Sequence, residues 1–250
     1  TTASNNTAFG TQALLANTTG ENNAAVGSNT LDACTTGSRN VAMGSFAMTN
    51  STTAEECVAI GQGALENLTT GSQNTAVGQN ALKANTTASN NTAVGRSALI
   101  ANTTAHNNTA VGMNCLDANT TGQNNTATGQ EALTECTTGN DNTAFGRQAL
   151  TGLNTGSQNT AMGFEAGANV TTGTNNLLLG YQSGSSASPS GNLTTAGNNV
   201  CLGNNSIANL FCADTSISSS DSRDKTDVTS FNVGLAWINA LRPVTYRWDR

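Results

Sequence analysis

Residues 74–112 read NTAVGQNALKANTTASN, then NTAVGRSALIANTTAHN, then NTAVG again. This stretch decides the fold, because the same phrase returns throughout the chain on a fixed clock. Its marker glycines are Gly10, Gly27, Gly44, Gly61, Gly78, Gly95, Gly112, Gly129, Gly146, Gly163 and Gly180, every step 17 residues. Each copy must therefore occupy the same geometric slot. A twelfth, looser copy ends at Gly203 after six extra residues, which the Ser/Gly/Pro stretch from Ser183 to Gly191 accommodates.

Within the period, the residue before the marker is Phe9, Val26, Met43, Ile60, Val77, Val94, Val111, Phe145, Met162 or Leu179, broken only by Thr128. That apolar row is expected to be buried. Four residues after the marker stand Leu14, Leu31, Met48, Leu65, Leu82, Leu99, Leu116, Leu133 and Leu150, a second row expected inside, until Gly167 and Gly184 end it. Small residues flank both rows, among them Ala25, Ala42, Ala47 and Ala64. Each copy closes on a turn such as Asn17-Thr18-Thr19-Gly20, where glycine is expected to take a positive φ cheaply.

Seventeen residues containing Gly, Thr-Thr and Asn-Asn cannot hold a useful helical hairpin. Short strands joined by turns fit, and the expected fold is all-β, a β-solenoid (β-roll) of 17-residue coils. Equivalent residues then stack at about 4.8 Å, Asn and Thr form ladders, and the rod is on the order of 50 Å long. Two larger apolar side chains per coil bury little against the entropy of ordering seventeen residues. One row is therefore expected to line the coil and the other to face partner chains in a homotrimer.

Composition excludes several functions. Only 10% of the 250 residues are charged and 4% aromatic, while Asn and Thr number 36 and 41. Nine Lys plus Arg against fifteen acids leave no basic stripe for nucleic acid. No apolar run approaches the roughly 20 residues of a membrane-spanning helix. The chain opens mid-pattern at Thr1 without a signal peptide and reads as part of a longer one. The six Cys show no metal spacing, and no cofactor is expected. Most read as small fillers, with Cys201 and Cys212 placed to pair. The lone His106 reads as a surface residue, and Glu55 with Glu56 as turn residues without an opposed carboxylate of the kind glycoside hydrolysis needs.

Near residue 214 the character changes: residues 1–213 hold ten acids and four bases, the last 37 hold five of each, with both Trp. Phe231, Leu235, Ile238 and Leu241 fall at near-helical spacing before Pro243. The chain thus divides into a regular solenoid (1–184), an irregular last coil and connector (185–213), and a short α/β module (214–250).

The repeats Asn91-Thr92-Ala93-Val94-Gly95 and their kin resemble those in the heads of trimeric autotransporter adhesins, where they form a trimeric left-handed β-roll, and more closely resemble repeats upstream of phage tail-fibre chaperone domains. The string from Ser220-Asp221-Ser222-Arg223-Asp224-Lys225 to Val228, followed by Leu241-Arg242-Pro243-Val244-Thr245-Tyr246-Arg247-Trp248, resembles the start of the endosialidase-type intramolecular chaperone domain. That resemblance implies a virion or extracellular location, trimerisation of the preceding rod, and a single self-cleavage on the N-terminal side of Ser220. Ser220 is then the nucleophile and Lys225 the base beside the motif residue Asp221, an amine of depressed pKa activating the hydroxyl. The family's domain continues beyond this segment, so the module is expected to be truncated at Arg250. The implied function is a structural or receptor-binding rod of a phage tail fibre, with other virion tail proteins and host surface glycans or receptors as partners. A bacterial adhesin head is the alternative, and a polysaccharide depolymerase a lesser one.

Overall fold

The computed structural model describes residues 2–209. They form a parallel β-solenoid of twelve three-residue strands, running from β1 (Thr7–Phe9) through β8 (Thr126–Thr128) and β11 (Leu177–Leu179) to β12 (Val200–Leu202). The strands join one sheet in sequence order. Registers such as Thr92↔Thr109 and Val94↔Val111 advance by one period per strand. Between β11 and β12 the advance is longer, Leu177 pairing with Val200. The added residues lie in the turns between Gly184 and Asn192, since Gly167 N–H still donates to Ser183 O whereas Thr171 N–H donates to Thr194 O. The all-β solenoid and the site of its insertion follow the sequence. The described coils belong to one compact unit that ends at Ala208; the expected α/β module lies outside the described residues.

The strands alternate outward, inward, outward, and the phase corrects one expectation. Ala93 is buried while Val94 is 36% exposed, and the same holds for Ala42 beside Met43 and Ala161 beside Met162. The row before the marker faces out, and the alanine row beside it faces in. The reason is space: each coil interior also receives a second small residue and a leucine, such as Ala98 and Leu99. A second large side chain there would overpack it.

Leu99 and its equivalents from Leu31 to Leu150 are fully buried, as expected, and Leu14 in the first coil partly so, but they sit in the left-handed region, Leu99 at φ 52° and Leu116 at φ 52°. For a side chain of that bulk this costs roughly 1–3 kcal/mol, offset by burial of about the same size. Gly167, at φ +67°, releases that strain. Its space is filled from the strand instead, since Leu178 replaces the inward alanine and its Cδ1 lies 2.6 Å from where a Gly167 Cβ would stand. Core volume is thus moved between slots rather than lost.

The turn glycines also differ from expectation. Gly20 and Gly122 are absent from the left-handed region, which is occupied by other residues of the period, such as Asn107 at φ 61° and Asn114 at φ 52°. Glycine at position 20 serves close approach, because a Cβ there would meet Gly37 O at 2.2 Å.

Buried asparagines stack into a ladder through Asn74, Asn91, Asn108 and Asn125. Asn108 N–H donates to Asn91 Oδ1 at 2.9 Å, its own Oδ1 accepts from Asn125 N–H at 2.9 Å, and its Nδ2 donates to Gly122 O at 2.9 Å. Threonine hydroxyls add a second ladder, Thr86 to Thr103 O and Thr103 to Thr120 O, both at 3.2 Å. Buried polar groups are thereby paired from coil to coil.

Cys57 stands in the asparagine row. Its N–H donates to Asn40 Oδ1 at 3.0 Å, but its thiol, a weak donor, makes only long contacts, 3.4 Å to Glu55 O and 3.6 Å to Gly71 O. Cys57→Asn restores a carboxamide that donates to Gly71 O and accepts from Asn74, and is expected to stabilise the fold by about 1 kcal/mol. Thermal melting of the two proteins checks this; a lower midpoint for the variant refutes it.

Candidate functional site

The sheet presents two outward columns that run the length of the solenoid, one residue of each per strand. One column is Thr7, Ala24, Val41 and Val58, then threonine from Thr75 to Thr160, then Leu177 and Val200. The other is the apolar row before the markers, in which Phe9 is 75%, Phe145 55%, Met162 50% and Met43 44% exposed. Thr128, at the end of β8, is its one polar member and is half-buried. Strand alternation forces both columns outward together once alanine faces in.

Charge is placed elsewhere on the period. Arg39 Nη2 lies 2.6 Å from Glu55 Oε2 and its Nε 3.0 Å from Glu56 Oε1, with all three side chains about half exposed. Hydrogen bonds from Gln73 and then from Arg39, together with the Arg39 charge, hold the Glu56 carboxyl below its ordinary value. Such exposed pairs add little stability. Glu55 and Glu56 thus serve one ion-pair cluster, and no opposed carboxylate faces them in it.

Asp117 is strained differently. Its Oδ1 is buried without a hydrogen-bond partner, and burial pushes its carboxyl above the ordinary value of 3.8. In the equivalent place Thr134 donates its hydroxyl to Asn114 O at 3.4 Å. Asp117→Thr is expected to stabilise by about 0.5 kcal/mol at neutral pH, a figure already reduced for solvent screening. Because the folded carboxyl holds its proton more tightly than the unfolded one, the wild-type penalty exists above the folded pKa and disappears below the unfolded pKa. The gain should therefore shrink as pH falls through the raised folded value toward the ordinary 3.8, and denaturant titrations at several pH values check it.

His106 occupies a slot where hydroxyls normally accept from the coil before. Its Nδ1 accepts the Ser89 N–H at 3.0 Å, as Ser89 Oγ accepts the Ser72 N–H. It is a half-buried ladder member rather than a plain surface residue.

Cys34, Cys57, Cys115 and Cys136 are buried free thiols filling small interior slots, as expected. Burial pushes Cys57 and Cys136 up to about 11 and Cys115 to about 12. Cys201 differs: burial pushes it up, but Ser188 and Ser190 hydroxyls and the Gly184 N–H outweigh that and hold it below its ordinary value. Ser188 Oγ lies 2.8 Å and the Gly184 nitrogen 3.2 Å from its sulfur. The inserted turns create this cluster, which sequence spacing alone did not signal. The expected pairing of Cys201 with Cys212 lies outside the described residues.

Sequence reasoning also missed a stack near the C-terminal end of the solenoid. Phe164 and Tyr181 rings lie 5.5 Å apart and nearly parallel, with the Arg147 guanidinium 5.4 Å from the Phe164 centroid. The signal was present, since all three directly follow marker glycines. A cleft across the last three strands is lined by Gln158, Thr160, Asn175, Leu177, Asn198 and Val200. Its lining is amide, hydroxyl and aliphatic, without a titratable group.

Among the described residues no group of three or more His, Cys, Asp and Glu is placed to hold a metal ion. None of their helices is long and apolar enough to cross a membrane. Ser220, Asp221 and Lys225 lie outside the described residues, so the structure neither assembles nor separates them. Residues 220–250 match the family described as Chaperone of endosialidase. No curated protein and no solved structure matches the chain.

Proposed function

We propose that this chain is a structural rod segment of a phage tail fibre, homotrimeric, whose C-terminal segment begins a chaperone that assembles the trimer. The carrying observation is the order of parts: a regular parallel solenoid followed, at residues 220–250, by a match to the endosialidase chaperone family. A rod that is stabilised coil by coil, with a thin core, gains from an assembly element at one end. An exterior rich in amides and hydroxyls suits exposure outside cells and weak multivalent contact with surface glycans. Ser220 Oγ then attacks the Ser219 carbonyl as Lys225 takes the hydroxyl proton; the Ser219–Ser220 C–N bond breaks, the proton returns to the departing Ser220 amine, and water hydrolyses the resulting ester to release the rod. The sugar-cleaving alternative has no support in the cleft between the last coils, which lacks the carboxylate pair that reaction needs.

Two measurements test the reading. Sedimentation of the full chain is expected to return a trimer, and a stable folded monomer overturns it. Mass spectrometry of the product carrying the family's complete domain is expected to show release at Ser219-Ser220, abolished by Ser220→Ala. An intact wild-type junction sinks the self-cleavage step alone.

A further inference from the structure

We infer that the outward face of the sheet is the seam between parallel copies of this chain standing level with one another, and that Thr128 meets its own counterpart there. The inference rests on the trimeric reading and assigns it a face, a direction and a register.

Around a rotation axis parallel to the stacking direction, each residue near the axis faces the same residue of the next copy. A charged residue would confront itself, so a self-facing surface must be neutral, whereas a surface for a different partner has no such restriction. Fourteen charged residues lie between Thr2 and Asn209, and none falls in either outward column. Phe9, Met43, Ile60, Phe145 and Met162 do not scatter over the surface but align in one column. Twelve rungs at about 4.8 Å make an apolar strip over roughly 50 Å long, the kind of continuous patch that marks an interface.

Thr128 supplies direction and register. In level, parallel copies its hydroxyl faces an identical hydroxyl, which both donates and accepts. In antiparallel copies the eighth strand opposes the fifth, and Thr128 faces Val77. A slip of one rung puts it against Val111 or Phe145. Each alternative leaves the hydroxyl unpartnered in an apolar seam. One polar residue in an otherwise apolar row is a well-attested way to fix register.

Disulfide trapping tests this in the full chain. Ile60→Cys and Val94→Cys sit in the apolar column two rungs apart, and Asn107→Cys sits on another exposed part of the coil. On oxidation, Ile60→Cys and Val94→Cys are each expected to form same-position pairs, and Asn107→Cys none. In co-assembled mixtures, 60–94 links should be about tenfold rarer than same-position links, and should rise severalfold when Thr128→Val is added to both chains. Sedimentation run beside the trapping separates the failures. A monomer overturns the trimeric reading and the seam together. An oligomer that links through Asn107→Cys but not through Ile60→Cys or Val94→Cys overturns the seam alone. Crossed links as frequent as same-position links overturn the level arrangement, and crossed links unmoved by Thr128→Val overturn the role of Thr128.

Discussion

Gly95→Ala is expected to cost about 3–5 kcal/mol of stability, summing left-handed strain and overpacking. Gly95 holds φ +135°, where an L side chain is strained whatever the room. Room is also missing: a Cβ there would stand 2.4 Å from Gly112 O and 2.6 Å from Gly112 C. Both obstacles are backbone, so no side-chain rotation relieves them. Neighbouring markers share the geometry, Gly112 at φ +140° with a Cβ 2.5 Å from Gly129 O. Gly122→Ala is the control. A Cβ there also meets backbone, Gly139 O at 2.3 Å, but Gly122 is not left-handed; the slot already carries Ala54, Ala88 and Ala105 in other coils, so a small shift makes the room, and the cost should be about 1 kcal/mol or less. Denaturant unfolding of the two variants decides; equal losses would mean that the marker glycines are not distinctive.

Asn108→Ala is expected to cost about 2–4 kcal/mol. The asparagine is fully buried and its carboxamide serves two other coil segments, accepting from Asn125 N–H and donating to Gly122 O. Truncation leaves the buried Asn125 N–H unpaired and takes one of two donors from Gly122 O, which keeps Asn119 Nδ2 at 2.9 Å, with a small cavity besides. Asn107→Gly, one residue earlier and exposed, keeps a residue that tolerates the left-handed φ of 61° and removes only a 3.2 Å contact with Asn124 Oδ1 that water can replace, and should change stability by less than about 0.5 kcal/mol. A cost at Asn107 matching that at Asn108 would show that the buried ladder is not what holds the coils.

Most of the fold was legible because the period is strict. A residue repeated at constant spacing must keep one environment, and that reasoning located the strands, the leucine slot, the asparagine stack and the inserted turns. It failed on Ala76 and Val77, because a three-residue strand is too short for alternation to reveal its own phase, and size then favoured burying the valine. A better signal was available in the variation between copies. The inward row is alanine from Ala8 to Ala161, whereas the outward row ranges from Val94 to Phe145 and admits Thr128. A closed interior tolerates little change of volume, and an open face tolerates much. The left-handed leucines were not legible at all, since nothing in the local sequence marks such a conformation for a bulky residue. The Ser220 and Lys225 chemistry was legible only through resemblance, as two residues five apart carry no geometry of their own.

The buried asparagines also give the solenoid an electrical direction. Through its backbone or side-chain N–H, each donates to the carboxamide oxygen of the coil before it and accepts from the coil after it, as Asn142, Asn159 and Asn176 do in turn. Their bond dipoles therefore add along the stack instead of cancelling, as peptide dipoles add along a helix, and each bond polarises the next. Cys57 is an insulator in that line, separating a short run ending at Asn40 from the long run that begins at Asn74.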